Sequence, residues 1–313
     1  MSLSEAYRAQ VALLVAALPF VAREEIFALK GGTAINLFIR DMPRLSVEID
    51  LTYLPLEPRE QSLMAIDAGL RRIGQSIATG LAGTNVTTRN ADNGKLMTRI
   101  LVRRGRAQIK IEVTPVLRGC VYASEWRRVS RSVEEAFGFA EIQLVSFADL
   151  YAGKAIAALD RQHPRDLFDI RDLLANEGID ETLRSAFLIY LISHDRPISE
   201  IVSPHRKNIT SEFRTRFLGM SDSSVSLDDL LHAREELIEQ MIGAMPQTHR
   251  RFIVDFKKGH PDWNDIGLPS AAALPAVKWK QVNLDRLTPD ARARLVSRLE
   301  EVLFPLPPPP NLP

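Results

Sequence analysis

A single cysteine, Cys120, in 313 residues leaves no intramolecular disulfide to stabilise the fold, which fits a reducing compartment. Neither sign of charge predominates. Lys and Arg number 40 against 39 Asp and Glu, a net charge of +1, so no bulk electrostatic hold on nucleic acid is expected, although a local basic patch is allowed. No apolar run approaches the ~20 residues of a membrane span. The strongest, residues 11–20, is preceded by Glu5, Arg8 and Gln10 and followed by Arg23, Glu24 and Glu25, and reads as a packed helix. The first residues do not read as a signal peptide, so a cytoplasmic protein without a membrane partner is expected. The six histidines show no metal-ligand spacing, no Ser-His-Asp arrangement is legible, and no internal repeat is found. What remains is an ordinary globular composition, 45% hydrophobic and 25% charged.

The pattern along the chain changes near its middle. Residues 4–18 predict a helix that stops at Pro19, and residues 25–29 a short strand that ends at Gly31-Gly32. A second helix is expected from about Thr33 to Asp41. Residues 47–53 alternate, with Val47, Ile49 and Leu51 on one face and Glu48, Asp50 and Thr52 on the other. Leu63, Ile66, Leu70 and Ile73 then recur at helical spacing. A β-meander follows, with strands at 85–90 and 96–103 around the turn Asp92-Asn93-Gly94, and a third at 108–114 carrying Lys110, Glu112 and Thr114 on its polar face. Beyond about residue 130 the pattern is mainly helical. Ser146, Ser226 and Thr288-Pro289 mark helix starts, and residues 305–313 form a proline-rich tail. The reading is an α+β fold with a catalytic domain over 1–130 and a helical domain over 131–313, the boundary lying softly between 117 and 140.

Two segments carry chemistry. Lys30-Gly31-Gly32-Thr33 ends a strand in two glycines and opens a helix. Glycines admit a triphosphate close to the backbone, and a helix N-terminus offers free N–H groups and a positive dipole end. The Thr33 hydroxyl adds a candidate phosphate contact. Glu48 and Asp50, at i and i+2 on a strand, share a face. Two adjacent carboxylates are costly unless a cation neutralises them, and hard oxygen donors suit Mg²⁺. If the strand of Glu112 lies beside theirs, three carboxylates converge, enough for two metals about 4 Å apart. Glu112 is also a candidate base for an acceptor hydroxyl. The basic stretches at 103–106 and 127–131 are candidates for RNA phosphates.

Gly31-Gly32-Thr33, followed by Arg44-Leu45-Ser46-Val47-Glu48-Ile49-Asp50, resembles the Gly-Gly/Ser … Asp-x-Asp signature of the polymerase-β nucleotidyltransferase superfamily. Lys154 and then Pro164-Arg165-Asp166-Leu167-Phe168-Asp169 follow in the order of its AbiEii/AbiGii toxin-type members. The resemblance spans residues 26–175. It implies a polymerase-β-like domain that transfers a nucleoside monophosphate from a triphosphate to a hydroxyl, with Mg²⁺ and release of pyrophosphate. It implies Glu48, Asp50 and Glu112 as metal ligands, and Lys154 and Asp166 as catalytic residues, with Lys154 on the phosphates. Nucleotide contacts fall to Lys30, Gly31, Gly32, Thr33, Ser46, Arg161 and Arg165. Asp169 reads as a structural partner of Arg165. The implied acceptor is RNA, a tRNA 3′ end, and the implied partner a cognate antitoxin. One departure stands out: Glu48 occupies a position usually held by Asp. Its extra methylene displaces the metal, which weakens activity, tunes it to Mn²⁺ or abolishes it. The alternatives are a protein side chain as acceptor (nucleotidylation or phosphorylation) and a non-catalytic nucleotide-binding protein.

Overall fold

The computed structural model describes residues 5–90, 96–221 and 224–305. Seven strands form one mixed sheet: β1 Phe27–Lys30, β2 Glu48–Tyr53, β3 Thr84–Asn90, β4 Met97–Arg104, β5 Ala107–Val113, β6 Glu125–Arg128 and β7 Glu141–Leu144. Their order is β3-β4-β5-β2-β1-β7-β6. β2 lies parallel to β5 and β1 parallel to β7, and the other neighbours are antiparallel. The helices are α1 Glu5–Val21, α2 Gly31–Ala34, α3 Arg59–Gly80, α4 Arg131–Phe137, α5 Phe147–Asp160, α6 Pro164–Asn176 and α7 Glu181–Ser193. They continue with α8 Ile198–Val202, α9 Thr210–Arg216, α10 Leu227–Leu237, α11 Gln247–Lys258, α12 Pro275–Asp285 and α13 Pro289–Leu303. Among the described residues no helix is long and apolar enough to cross a membrane.

Period-two alternation sets the two faces of the sheet. Ile49 and Leu51 of β2 and Ile109, Ile111 and Val113 of β5 are buried. α1 and α3 cover this face. α3 presents Ile66, Leu70, Ile73 and Ile77 at helical spacing, all fully buried. Each such side chain contributes about 1.5–3 kcal/mol by leaving water. Glu48, Asp50, Lys110 and Glu112 fall on the opposite face by the same alternation, together with Lys30, which pairs across from Asp50. Helices α5, α6 and α7 stand on that side. Ser146 caps α5 by accepting from the Asp149 N–H at 3.0 Å, and Ser226 and Asp229 form a reciprocal capping box on α10.

Several expected boundaries move. α1 continues through Pro19 to Val21. Proline removes one intrahelical bond, and burial of Leu18 and Val21 holds the last turn in place. The helix after the glycines is a short α turn that widens into a π turn, Ile35–Ile39, with the Arg40 N–H reaching back five residues to the Ile35 carbonyl. β6 lies in the stretch of the soft boundary, where no element was expected, and β7 lies beyond residue 130, where the pattern was expected to be mainly helical. The predicted turn at 92–94 and the tail from 306 lie outside the described residues.

Leu29 sits fully buried in the middle of the sheet. Leu29→Ala is expected to cost about 2–5 kcal/mol in urea unfolding, while Met64→Ala, at a mostly exposed position on α3, stays within about 0.5 kcal/mol.

Candidate active site

The polar sheet face, the α2 turn and the start of α6 enclose an open cleft of about 950 Å³, lined by Gly32, Arg44, Ser46, Glu48, Asp50, Lys110, Glu112, Lys154, Arg161, His163, Arg165 and Asp166 among others. Its floor is a row of charges. Cα pairing sets Lys30 opposite Asp50, Asp50 opposite Glu112, and Glu112 opposite Arg99. Four adjacent strands thus alternate cation, anion, anion, cation. Lys30 Nζ lies 3.4 Å from the Thr114 hydroxyl. Burial pulls this ammonium below its ordinary value against the opposing pull of Asp50.

Two glycines are required where the chain enters the cleft. Gly31 has φ +77°, and a Cβ there would stand 2.8 Å from Asp50 Oδ2. A Cβ on Gly32 would stand 2.9 Å from an Arg44 guanidinium nitrogen and 3.0 Å from the Ser46 hydroxyl. A side chain at Gly31 would be strained by the left-handed backbone and would displace the Asp50 carboxylate, and one at Gly32 would make the Arg44 guanidinium and the Ser46 hydroxyl give way. Thr33 is fully buried, and its hydroxyl donates to the Glu48 carbonyl at 2.5 Å and lies 3.0 Å from Ser46 Oγ. It ties the turn to the base of β2 instead of facing the cleft.

The three carboxylates share the face without converging. Lys110 Nζ stands between two of them, 3.3 Å from Glu48 and 3.2 Å from Glu112, and Arg99 holds Glu112 at 2.8 Å. Like charges on adjacent strands separate and find cations. As placed, no three His, Cys, Asp or Glu side chains among the described residues form a ready metal cluster. Asp50 lies deep in the cleft. Burial pushes its carboxyl above the ordinary value, and the neighbouring Glu48 adds to the rise. Glu48 itself is half exposed, its side chain at 51%. A hard dication fits this pair: it would satisfy a desolvated carboxylate and cancel the repulsion, with Lys110 giving way.

A buried charge network forms the wall above. Asp169 accepts from Arg44 Nε at 2.7 Å and Nη2 at 2.5 Å, and from Lys154 Nζ at 2.9 Å. Lys154 also reaches Asp166 at 2.8 Å, and Arg161 grips Asp166 at 2.5 and 3.0 Å. Asp169 therefore pairs with Arg44 and Lys154, and not with Arg165. The preference follows from position: Arg165 is exposed in the first turn of α6, whereas Asp169 faces inward and needs buried donors. Burial raises both carboxyls, but Arg44 and Lys154 hold Asp169, and Lys154 and Arg161 hold Asp166, well below the usual carboxylate range. Lys154 touches the cleft with 7% of its side chain exposed and is already shared by two carboxylates. Arg161 is 62% exposed, and Arg165 has no ion-pair partner among the described residues.

Sequence reasoning passed over Arg44, Lys110 and His163. Arg44 was visible only as a letter within the motif, Lys110 only as a neighbour of Glu112. His163 caps α6, its Nδ1 accepting from the Arg165 N–H at 3.1 Å. No ligand spacing signals such a role.

A sequence profile of the family described as nucleotidyl transferase AbiEii toxin, type IV toxin–antitoxin system, matches residues 12–281. The match runs well past the 26–175 span visible in the motifs and into the helical region. Among solved structures, MenT4, a nucleotidyltransferase toxin from Mycobacterium tuberculosis H37Rv, aligns with a TM-score of 0.59 at 17% identity, covering 90% of this chain and 96% of that one. At that identity the likeness is one of fold, and it bears out the expected α+β nucleotidyltransferase architecture, a mixed sheet with helices followed by a mainly helical region. No curated protein matches the sequence.

Removing one carboxylate from the buried network leaves Arg44 and Lys154 short of a partner. Asp169→Asn is expected to cost about 3–5 kcal/mol at pH 7. Both buried carboxyls are depressed in the folded state, so their stabilisation is present above the unfolded carboxylate value and is lost as pH falls through the folded one. Wild-type stability from this source should hold from pH 7 to about 4 and fade below that. Urea unfolding across pH 2–7 checks both, with a shallower acid limb expected in the variant.

Proposed function

Because the chain belongs to the nucleotidyl transferase AbiEii toxin family, we propose that it transfers a nucleoside monophosphate from a nucleoside triphosphate to a hydroxyl at the 3′ end of an RNA, with tRNA the first acceptor to try, in the presence of a divalent metal and with release of pyrophosphate. The observation that supports this most is the pairing, across one cleft, of a carboxylate floor (Glu48, Asp50, Glu112) with a wall of cations (Lys154, Arg161, Arg165). Phosphoryl transfer asks for that combination: negative oxygens to hold a metal, and positive charge where the triphosphate lies.

Glu48 and Asp50 would hold Mg²⁺ or Mn²⁺, which supplies charge neutralisation at the reacting phosphate. The chain's own groups do the rest. Arg165 and the exposed fork of Arg161 receive the triphosphate, with the Gly31-Gly32 turn admitting it close to the backbone. Lys154 and Asp166 support that wall from beneath and fix the aim of Arg161. The acceptor hydroxyl oxygen attacks the α-phosphorus, the bond to the β-phosphate oxygen breaks, and pyrophosphate leaves. We assign the hydroxyl proton to Glu112, in register with Asp50. Such transfer to a tRNA end would block aminoacylation, in keeping with the family's toxin role. A cognate antitoxin, and a cytoplasmic site of action, complete the reading.

Transfer of label from α-phosphate-labelled triphosphates into total bacterial RNA and total protein tests it, with wild type beside Asp50→Ala. The expected result is label in a tRNA-sized band that vanishes in the folded variant. Label in protein alone would move the acceptor to a side chain, and no label with either metal would overturn the enzyme reading.

Lys110 supplies a second check. An ion pair at about 4 Å in water is worth about 1 kcal/mol. Lys110→Met, which removes the resident cation between Glu48 and Glu112, should therefore tighten Mn²⁺ binding about fivefold by electron paramagnetic resonance titration. Unchanged affinity would separate these carboxylates from the metal.

A further inference from the structure

Beyond Lys30 the cleft continues. An apolar trough lined by Leu117, Leu150, Ile156 and Tyr190 reaches Lys154 and Arg161 at one end. At the other it shares Lys30, Leu117, Asp149 and Tyr190 with a smaller cavity that ends at Arg118, between the sheet and the segment 274–276. Thr52 lines this cavity, two residues further along β2 than Asp50 and on the same face.

Arg118 is an anomaly in this position. It is 8% exposed, and its Nε and Nη1 have no hydrogen-bond partner among the described residues. No carboxylate forms a salt bridge with it among those residues. A second arginine, Arg59, is near enough to repel it, and burial together with that repulsion lowers its affinity for the proton. A buried guanidinium without an acceptor is costly. Yet its place is well fixed. The next residue, Gly119, has φ +79°, and its N–H donates to the Tyr53 carbonyl at 2.8 Å. A Cβ at Gly119 would meet Leu56 and Leu274. The backbone is thus clamped so that an unpaired cation lines the cavity.

We propose that Arg118 anchors a second phosphate subsite, which takes a backbone phosphate of the acceptor RNA strand behind the end being modified. The proposal rests on the RNA-acceptor reading above. The spacing of chemistry along the groove supports it: charge in the cleft, an apolar trough that accepts a base and sugar, then an unpaired cation. A polynucleotide repeats that alternation, whereas a triphosphate carries its charges contiguously. Lys30 bridges the two ends as a second positive charge without a carboxylate partner at salt-bridge distance among the described residues. Single-strand binding of this kind, an electropositive groove with a surface for bases, needs no high net charge.

The test is fluorescence anisotropy with a 5′-fluorescein single-stranded RNA carrying a free 3′ hydroxyl, titrated across about 50–200 mM salt, beside calorimetry with each of the four nucleoside triphosphates. Wild type, Arg118→Gln and Arg118→Lys are compared. Arg118→Gln should weaken RNA binding about tenfold and lower the salt slope by about 0.7, the loss of one phosphate contact on a single strand. It should leave triphosphate affinity unchanged and melt no lower than wild type, because the removed charge had no partner. Arg118→Lys should keep the slope with intermediate affinity, and it decides the matter if the glutamine variant does not fold. Equal RNA binding by wild type and folded Arg118→Gln would overturn the subsite while leaving the transferase reading intact. Loss of triphosphate binding instead would reassign the phosphate to the nucleotide. A wild type that binds no RNA at low salt would remove the RNA acceptor and this subsite with it.

Discussion

The chain of charges Arg44–Asp169–Lys154–Asp166, buried except where Arg161 closes it at the surface, is the interaction on which the remaining architecture of the cleft depends. Its five members come from the loop before β2, from α5 and its C-terminal end, and from α6. Each buried ion is costly alone, and here each has at least one oppositely charged partner within 2.9 Å. The chain therefore fixes α5 and α6 against the Gly31-Gly32 turn. It leaves Arg161 and Arg165 at the surface of a wall whose interior is electrically satisfied.

The sheet supplies the complementary charge. Because β2 is parallel to β5 and antiparallel to β1, Asp50 is flanked in register by Lys30 on one side and Glu112 on the other. Lys110 and Arg99 restrain the carboxylates that would otherwise repel. The floor is balanced at rest, but at Asp50 the balance is incomplete: burial and Glu48 keep its carboxyl above the ordinary value. A site that is short of positive charge at one buried carboxylate is a site ready for a cation. The same logic, with sign reversed, applies to Arg118 at the far end of the groove, where two nitrogens of a buried cation have no hydrogen-bond partner among the described residues.

Local patterns made part of this readable from residues alone. Alternation placed Glu48 and Asp50 on one face and Glu112 on the polar face of its strand. The double glycine marked the turn, and Ser146 and Ser226 marked helix starts. The unread parts depend on long-range pairing. Arg44 and Asp169 are 125 residues apart, and no periodicity links them, so the α6 neighbour Arg165 looked like the natural partner. Lys110 lay next to Glu112 in sequence, but its approach to Glu48 exists only because β2 and β5 are parallel neighbours. β6 and β7 are four residues each; β6 is largely exposed, and neither offers an apolar run long enough to announce a strand. Arg118 gives no signal at all in sequence, since an unpaired buried cation is defined by what surrounds it.

The proposed role of Asp50 and Glu48 is to hold a metal whose binding couples to that of the triphosphate. Calorimetric titration of the nucleoside triphosphates into wild type and Asp50→Asn, with and without Mg²⁺, tests it most directly. Binding should strengthen with Mg²⁺ in wild type, and the metal-dependent part should disappear in the variant. Triphosphate binding of equal strength with and without metal, in both proteins, would contradict it.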